Sequence, residues 1–592
     1  MRIYAVSDVA QRADGMVRLA IREPDGLLRR MERDLARTGG PASASPADAA
    51  PRVLEAQAAK FDNLRDLRRV VNASLGPDQV IAIANGGDSE IVGRNLEDLA
   101  AAIFRADNAV ELMVHEERAR RGQLLGLLDA VRQWRREGRT FDSDGVALGI
   151  MLPGKGTRLS PITQRLHGIK PFMPMLVRQG RDGRWLNTAA ASLYTWTLLA
   201  HHLQRMGFRG IAWKWGDEPQ IAAHCLAEMN LDLSRADAVR FGAEVEVTED
   251  LAVNKEWLLR HRASGELIVQ VRRRSRAELL QRFDIVDRGQ PVKALVHIGS
   301  PAFSYPFLEE AEALFGDLDG WIDVDGYLFE ALTHDADAWQ AELNRDAGLQ
   351  QLVTERPDFW QRVQQLKRRV GERRGYPPVI KVVDFGEHLY WGDIGQLAKA
   401  RRALWTVAAP TVEGDFARCL AAIDHVTPDP FGNRIVGDST LPSDGRVRNS
   451  VIIDTRIHGK ADVDGAVLVA SELGDVVVRG GGVAFGCTVG DLDLGEEGLA
   501  FMSIQHSLKV PAHHVHTSIP VDPGNLSRGL QNWFADARQD PGRGTNYTEP
   551  QPGNPDSFAA KFQQMRQRQV PPDEIERDID ARFRQPIRRE LP

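Results

Sequence analysis

The fold class this sequence predicts is α/β: a doubly wound parallel sheet, followed by a short parallel β-helix and preceded by a mainly helical accessory domain. Three observations predict it. Between about 145 and 410, short apolar runs alternate with helical periodicity, the pattern of strands joined through crossover helices. From about 445 to 505, Val451, Ile457, Val463 and Val469 fall six apart, and after a two-residue slip Val477, Val483 and Val489 do so again. Six-residue spacing places one apolar corner on each face of a triangular parallel coil, and these corners make two to three coils. Ahead of 145 the chain is rich in Ala, Arg and Asp, with helical periodicity over 53–71 and 96–134 and one short strand candidate at 79–84.

A chain of 592 residues is too long for one core, so several units are expected. Their boundaries are placed at 1–144 (accessory domain), 145–410 (α/β domain), 411–444 (linker), 445–520 (β-helix) and 521–592 (an extended or partly disordered tail). The Gly/Pro/Ser-rich stretch 38–46 marks a loop within the first unit. A composition of 43% hydrophobic and 27% charged residues is that of an ordinary soluble protein. The net charge of −7 argues against a general nucleic-acid binder. Three widely spaced cysteines indicate neither a disulfide framework nor a cysteine zinc site. No apolar run approaches the length of a membrane span and no signal pattern opens the chain, so a cytoplasmic protein without membrane contact is expected.

Within the α/β region the elements follow in order. The run 146–152 reads as a buried strand, and 187–206 as a helix whose apolar side is Leu193, Trp196, Leu198, Leu199 and Leu203. Strands are expected at 210–215, 238–247 and 267–271, a second helix at 219–229 and a helical turn at 257–264. In the tail, turn-rich repeats such as Asp540-Pro541-Gly542 lead to a helix-like segment at 574–583.

The most informative chemistry follows the strand at 146–152. The chain breaks at Pro153 into a loop holding Gly154, Lys155, Gly156, Thr157 and Arg158, with Lys170 shortly after. Glycines after a strand let the backbone turn sharply and present N–H groups to a phosphate chain. Arg158 can offer paired donors to phosphate oxygens, and Lys170 a compact charge. The arrangement calls for a nucleoside triphosphate. Farther on, His514 and His516 would share one face of an extended strand, with His506 and His513 near. No carboxylate or cysteine stands at ligand spacing from them, so a solvated or satisfied surface role is expected, ahead of a catalytic histidine on the β-helix.

Gly154, Gly156, Thr157, Arg158, Leu159, Pro161, Thr163, Lys170, Pro171 and Pro174 match, in order, a pattern similar to the signature of the sugar-nucleotide pyrophosphorylases. Trp391-Gly392-Asp393-Ile394-Gly395 resembles the Trp-x-Asp-Ile-Gly box that ends the catalytic domain of that family, and a left-handed β-helix often follows. Leu152 and Pro153 stand where the family has small residues. The resemblance implies a Rossmann-like nucleotidyltransferase domain that makes an NDP-sugar and pyrophosphate from an NTP and a sugar 1-phosphate. It implies nucleotide contacts from Leu152, Gly154, Lys155, Gly156, Thr157 and Arg158, with Arg158 and Lys170 as the catalytic cations. Gly299 and Ser300 would line the sugar site, and Mg²⁺ would be held by Asp393 with Asp250 or Glu249. Asp217 is assigned to helix capping, and self-association is expected through the β-helix. The rival expectation is a non-catalytic regulator that binds a nucleotide or sugar phosphate on the same fold. Transfer to a non-sugar phosphate is a third.

Overall fold

The computed structural model describes residues 8–11, 17–20, 46–103, 110–119, 121–178, 185–287, 291–299, 301–322, 327–523, 528–567 and most of 570–578. Residues 38–45 of the loop expected at 38–46, Ser300 and most of the expected helix 574–583 lie outside these residues.

A ten-stranded mixed sheet forms the body. Its strands in chain order are β1 (Gln79–Asn85), β2 (Glu111–Glu117), β3 (Val146–Met151), β4 (Gly210–Trp215), β5 (Ala238–Glu246), β6 (Glu256–Arg260), β7 (Leu267–Arg272), β8 (Lys293–His297), β9 (Ala302–Ser304) and β10 (Ile380–Asp384). They lie in the order β7-β6-β8-β5-β9-β4-β3-β1-β2, with β10 paired in parallel to β5. The block β2-β1-β3-β4 is wholly parallel. β9, β8, β6 and β7 join by antiparallel pairing.

Alternation along β3 shows why this sheet is covered on both faces. Leu148 and Ile150 enter one apolar layer while Ala147 and Met151 enter the other. The first layer is closed by helices α1 (Pro46–Asn72) and α2 (Ser89–Ile103) and by α4 (Thr188–Arg205), and the second by α3 (Gly122–Arg136) and α5 (Tyr305–Phe315). α4 matches the helix expected at 187–206; Asn187 caps it by accepting a hydrogen bond from the Ala190 N–H at 2.9 Å, and all five of its expected apolar residues are buried.

The sheet crosses the boundary expected at 144. β1 lies between β2 and β3, so two strands of the amino-terminal unit belong to this sheet, β2 at its edge, while Asp8–Gln11 and Val17–Ala20 form a separate antiparallel pair. The helix expected over 96–134 is interrupted by β2, a half-exposed edge strand whose polar His115, Glu116 and Glu117 mask its period of two. The helical turn expected at 257–264 is instead β6, which forms a hairpin with β7 and buries Trp257 and Leu258. In place of a helix at 219–229 stand a two-residue strand, Gln220–Ile221, and a short 3₁₀ turn, Leu226–Glu228. The expected linker 411–444 contains a buried helix, Val412–Leu420.

Beyond residue 430 the chain winds between two parallel sheets. Val451 pairs with Val467, Val467 with Val483, Val483 with Leu499 and Leu499 with Val515, and all five are buried. The stacking repeat is therefore sixteen residues, and the levels run from Arg434–Val436 to His514–Pro520. That is more than two to three coils. A strict six-residue count drifts out of phase after one turn and passes over levels that carry Leu499 and Phe501. This unit docks on the body where Trp405 Nε1 donates to Gly465 O and Arg401 to Gly481 O, both at 2.8 Å.

The tail is ordered where it is described. Leu530–Asp536 pairs antiparallel with His514–Pro520, and α6 (Phe558–Gln567) packs back on the body. Gln164 Nε2 donates to Phe558 O at 3.0 Å, and Arg566 bonds Asp88 and Gly86. No helix among the described residues is long and apolar enough to cross a membrane.

Candidate functional site

Parallel pairing brings the carboxyl ends of β1, β3 and β4 to one edge, where ligands of open α/β sheets bind. Three loops leave there: 86–88 after β1, 152–161 after β3, and Gly216-Asp217-Glu218 after β4. β10 runs the same way, so the segment leading to Asp393 arrives at the same edge.

In the loop after β3, Gly156 adopts φ of 58°, a left-handed conformation that a Cβ would strain, and an added Cβ would meet Lys170 Cβ at 3.0 Å. This close approach puts Lys170 against the turn. Thr163 Oγ1 locks the turn by donating to Gly156 O at 2.7 Å. Gly154, Lys155 and Arg158 are exposed, and the Gly154 N–H donates to Asn85 Oδ1 at 3.0 Å. Leu152 is placed otherwise than expected of a nucleotide contact. Its side chain is buried in the core and its N–H donates to Ile83 O at 2.9 Å, because β1 lies alongside and continues the ladder past Met151.

Lys170 forms an ion pair with Asp217, at the end of β4. This corrects the helix-capping role expected of Asp217. The Asp393 loop comes to the same place because Trp391 pairs with Gln220 and the Gly392 N–H donates to Pro219 O at 2.8 Å. Asp393 accepts the Gly395 N–H at 2.6 Å and pairs with Lys399. Burial acts to raise its carboxyl, but Lys399, the Gly395 N–H and Lys170 together hold it below its ordinary value. Glu218 feels the charge of both aspartates. Burial pushes its carboxyl up to about 7, with Asp217 and Asp393 adding to the rise and Lys214 and Lys170 opposing it.

Asp250 is not gathered into this group by any described contact. It is exposed on the first turn of the short helix Glu249–Asn254, where its carboxylate accepts from Asn254 Nδ2 at 3.0 Å. Glu249 caps another backbone N–H, that of Arg276, at 3.0 Å. The structure thus offers Asp217 as the partner of Asp393. The signal was present in the sequence as Gly216-Asp217 at a strand end, but chain order alone does not show that β4 is the neighbour of β3.

Lys214 is the functional candidate that sequence reasoning missed. It is fully buried on β4, with Nζ 4.0 Å from Glu218, 4.7 Å from the centre of the Trp196 ring, and 3.3 Å from where a Cβ on Gly299 would stand. Gly299 opens onto a cleft of about 510 Å³ lined also by Trp215, Glu218, Lys255, Tyr327 and Trp391. Lys255 lies 5.3 Å over the Trp391 ring. His297 at the end of β8 also faces this cleft and is kept neutral by burial and by the charges of Arg240, Lys214 and Lys255. Its walls, aromatic planes between polar and cationic groups, suit a small polar ring bearing an anionic group.

Among the described residues no group of three or more His, Cys, Asp or Glu is arranged to hold a metal ion. His516 is not on the surface, where the sequence predicts a solvated or satisfied role, but fully buried, with Ser503 and Gln505 as its hydrogen-bond partners. Mg²⁺ needs less than such a group, since one or two carboxylates plus substrate phosphates commonly complete its shell. Asp217 and Asp393 supply hard oxygen donors of that kind at the edge where the glycine loop emerges. In comparisons with known proteins, no family model matches the chain and no curated protein matches it.

Proposed function

We propose that the chain is a nucleotidyltransferase that joins an NTP to a sugar 1-phosphate and releases pyrophosphate. The observation that carries this reading is the convergence at one sheet edge of the glycine loop, Lys170, Asp217 and Asp393, beside a cleft of about 510 Å³. On this reading the sheet is a Rossmann-like nucleotide-binding domain, and the sixteen-residue coils are a left-handed β-helix through which copies of the chain associate. A cytoplasmic location, where both substrates are made, belongs to the same proposal.

The reaction forms a bond between a sugar-phosphate oxygen and the α-phosphorus while the bond to the β-phosphate oxygen breaks. Such a displacement gains chiefly from positioning and charge neutralisation. The turn at Lys155–Thr157 and the Lys155 side chain cradle the triphosphate, and Arg158 holds the departing pyrophosphate. Lys170, next to Gly156, neutralises charge near the reacting phosphate once the nucleotide draws it from Asp217. Lys255 on the cleft wall holds the sugar phosphate, Lys214 buried beneath adds positive charge to that end of the cleft, and Trp215 and Trp391 flank the sugar ring. Mg²⁺, held by Asp217 and Asp393, would supply charge neutralisation on the phosphates.

A regulator that binds the same ligands without turnover is favoured by one observation: the Leu152 N–H is already bonded to Ile83 O and Pro153 has none to give. Pyrophosphate release measured with Mg²⁺, four NTPs and a panel of sugar 1-phosphates separates the two. Release with one pairing, abolished in Arg158→Ala and Asp393→Asn with the fold intact, supports the enzyme. Silence across the panel with measurable ligand binding supports the regulator.

A further inference from the structure

The carboxyl-terminal tail returns to the glycine loop with a second loop of the same composition. Gly542-Arg543-Gly544-Thr545 repeats the pattern of Gly154-Lys155-Gly156-Thr157, and the two pack together. A Cβ on Gly542 would stand 2.7 Å from Thr157 Oγ1 and 2.8 Å from the Arg158 backbone nitrogen, so only glycine permits the approach. At the contact, the Oδ2 of Asp540 faces two guanidinium groups, with Arg543 Nε at 3.0 Å and Arg158 Nε at 3.6 Å. Its Oδ1 accepts the Gly542 N–H at 2.9 Å, which holds the turn. Both arginines are otherwise open, with side chains 75% and 52% exposed. The turn is anchored on either side by Leu530–Asp536 in its sheet and by α6 on the body.

From this geometry we propose that Arg543 and Arg158 form a two-guanidinium clamp for the triphosphate, and that Asp540 occupies it as an internal anion until a nucleotide displaces it. The inference rests on the proposed function, since it names a further binding residue for the same ligand. A carboxylate oxygen shared between two arginines occupies the geometry a terminal phosphate oxygen would take, and a polyphosphate with several such oxygens competes for it with more charge. Lys155 on the facing loop adds a third cation to the same surface. The tail thereby completes the nucleotide site from a part of the chain far from the signature.

The test measures binding of inorganic tripolyphosphate, which carries no base, and of the four NTPs to the full chain by titration calorimetry. Arg543→Ala is expected to weaken tripolyphosphate about tenfold, as is Arg158→Ala, with Arg543→Lys restoring part of the loss. Asp540→Asn keeps the turn, because its amide oxygen still accepts the Gly542 N–H, and is expected to tighten binding several-fold. If Arg158→Ala weakens binding while Arg543→Ala changes it less than twofold, the clamp is refuted and the proposed function stands. If both Arg543→Ala and Asp540→Asn tighten binding, the tail is a cover over the site, and the clamp is again refuted. If the wild-type chain binds neither tripolyphosphate nor any NTP, the clamp and the nucleotide reading fall together.

Discussion

Replacing Glu218 by Gln isolates the electrostatics of the site. Glu218 lies 4.0 Å from Lys214, and the charges of Asp217, Asp393 and Lys170 also act on it. Its carboxyl is raised from the ordinary 4.5 to about 7, first by burial and then by the two aspartates. The native state therefore holds this proton more tightly than the unfolded chain does. Its contribution to stability is complete below pH 4.5 and is lost as pH rises through 7. At about 1.4 kcal/mol for each factor of ten in proton affinity, the loss amounts to about 3 kcal/mol. Glutamine cannot ionise, so Glu218→Gln should exceed the wild type by only about 1 kcal/mol near pH 5 and by about 3 kcal/mol at pH 8. Urea unfolding followed by tryptophan fluorescence at pH 5, 6, 7 and 8 reads the difference. A variant-minus-wild-type difference that does not change between pH 5 and pH 8 would refute the assignment of a buried, proton-holding carboxyl.

Three further outcomes follow from the same geometry. Asp217→Asn should abolish Mg²⁺-dependent pyrophosphate release while Asp250→Asn leaves it within about twofold, because only the first carboxylate pairs with Lys170 and acts together with Asp393 on Glu218; equal losses in both would return Asp250 to the site. Asp578→Ala removes the carboxylate that bonds Arg165 at 2.5 and 3.0 Å and His167 at 2.9 Å, leaving a guanidinium only 1% exposed without it. That should destabilise the tail contact by about 3–5 kcal/mol, seen as faster limited proteolysis downstream of residue 567; an unchanged cleavage rate would show that the ion pair does not hold the tail. Gly542→Val should force the tail turn off Thr157 and Arg158, read as faster tryptic cleavage at Arg543 in a chain whose circular dichroism is unchanged; no acceleration would mean the two glycine loops do not pack in solution.

Much of the body was legible because burial on two faces leaves a strong signature. The apolar run of β3, the capped helix after Asn187 and the apolar run of β4 each declare themselves locally, and so does the glycine loop with Arg158 and Lys170. Local pattern failed where partners decide the outcome. β2 is polar at its end because it is an edge strand, and β6 looks helical until β7 folds back beside it. Asp250 seemed the better second carboxylate because it follows a strand at the expected place in the order of motifs, yet it is exposed and bonded within its own turn. Leu152 sits in the signature but faces inward, since β1 continues the ladder one residue farther than β3 alone suggests.

By itself the sequence determined the α/β class, a recurring apolar pattern beyond about residue 445, and the placing of Arg158 and Lys170 with a glycine loop after a buried strand. Each of these is written in spacings of two, six or a few residues, which the backbone converts directly into a face, a corner or a turn. Only the tertiary structure decided that β1 and β2 belong to the same sheet, that Asp217 rather than Asp250 stands with Asp393, that Lys214 lies beneath the cleft, and that the tail brings Arg543 to Arg158. These are contacts between residues dozens to hundreds apart, set by which strands pair and which end of the sheet they share, and no local periodicity encodes that choice.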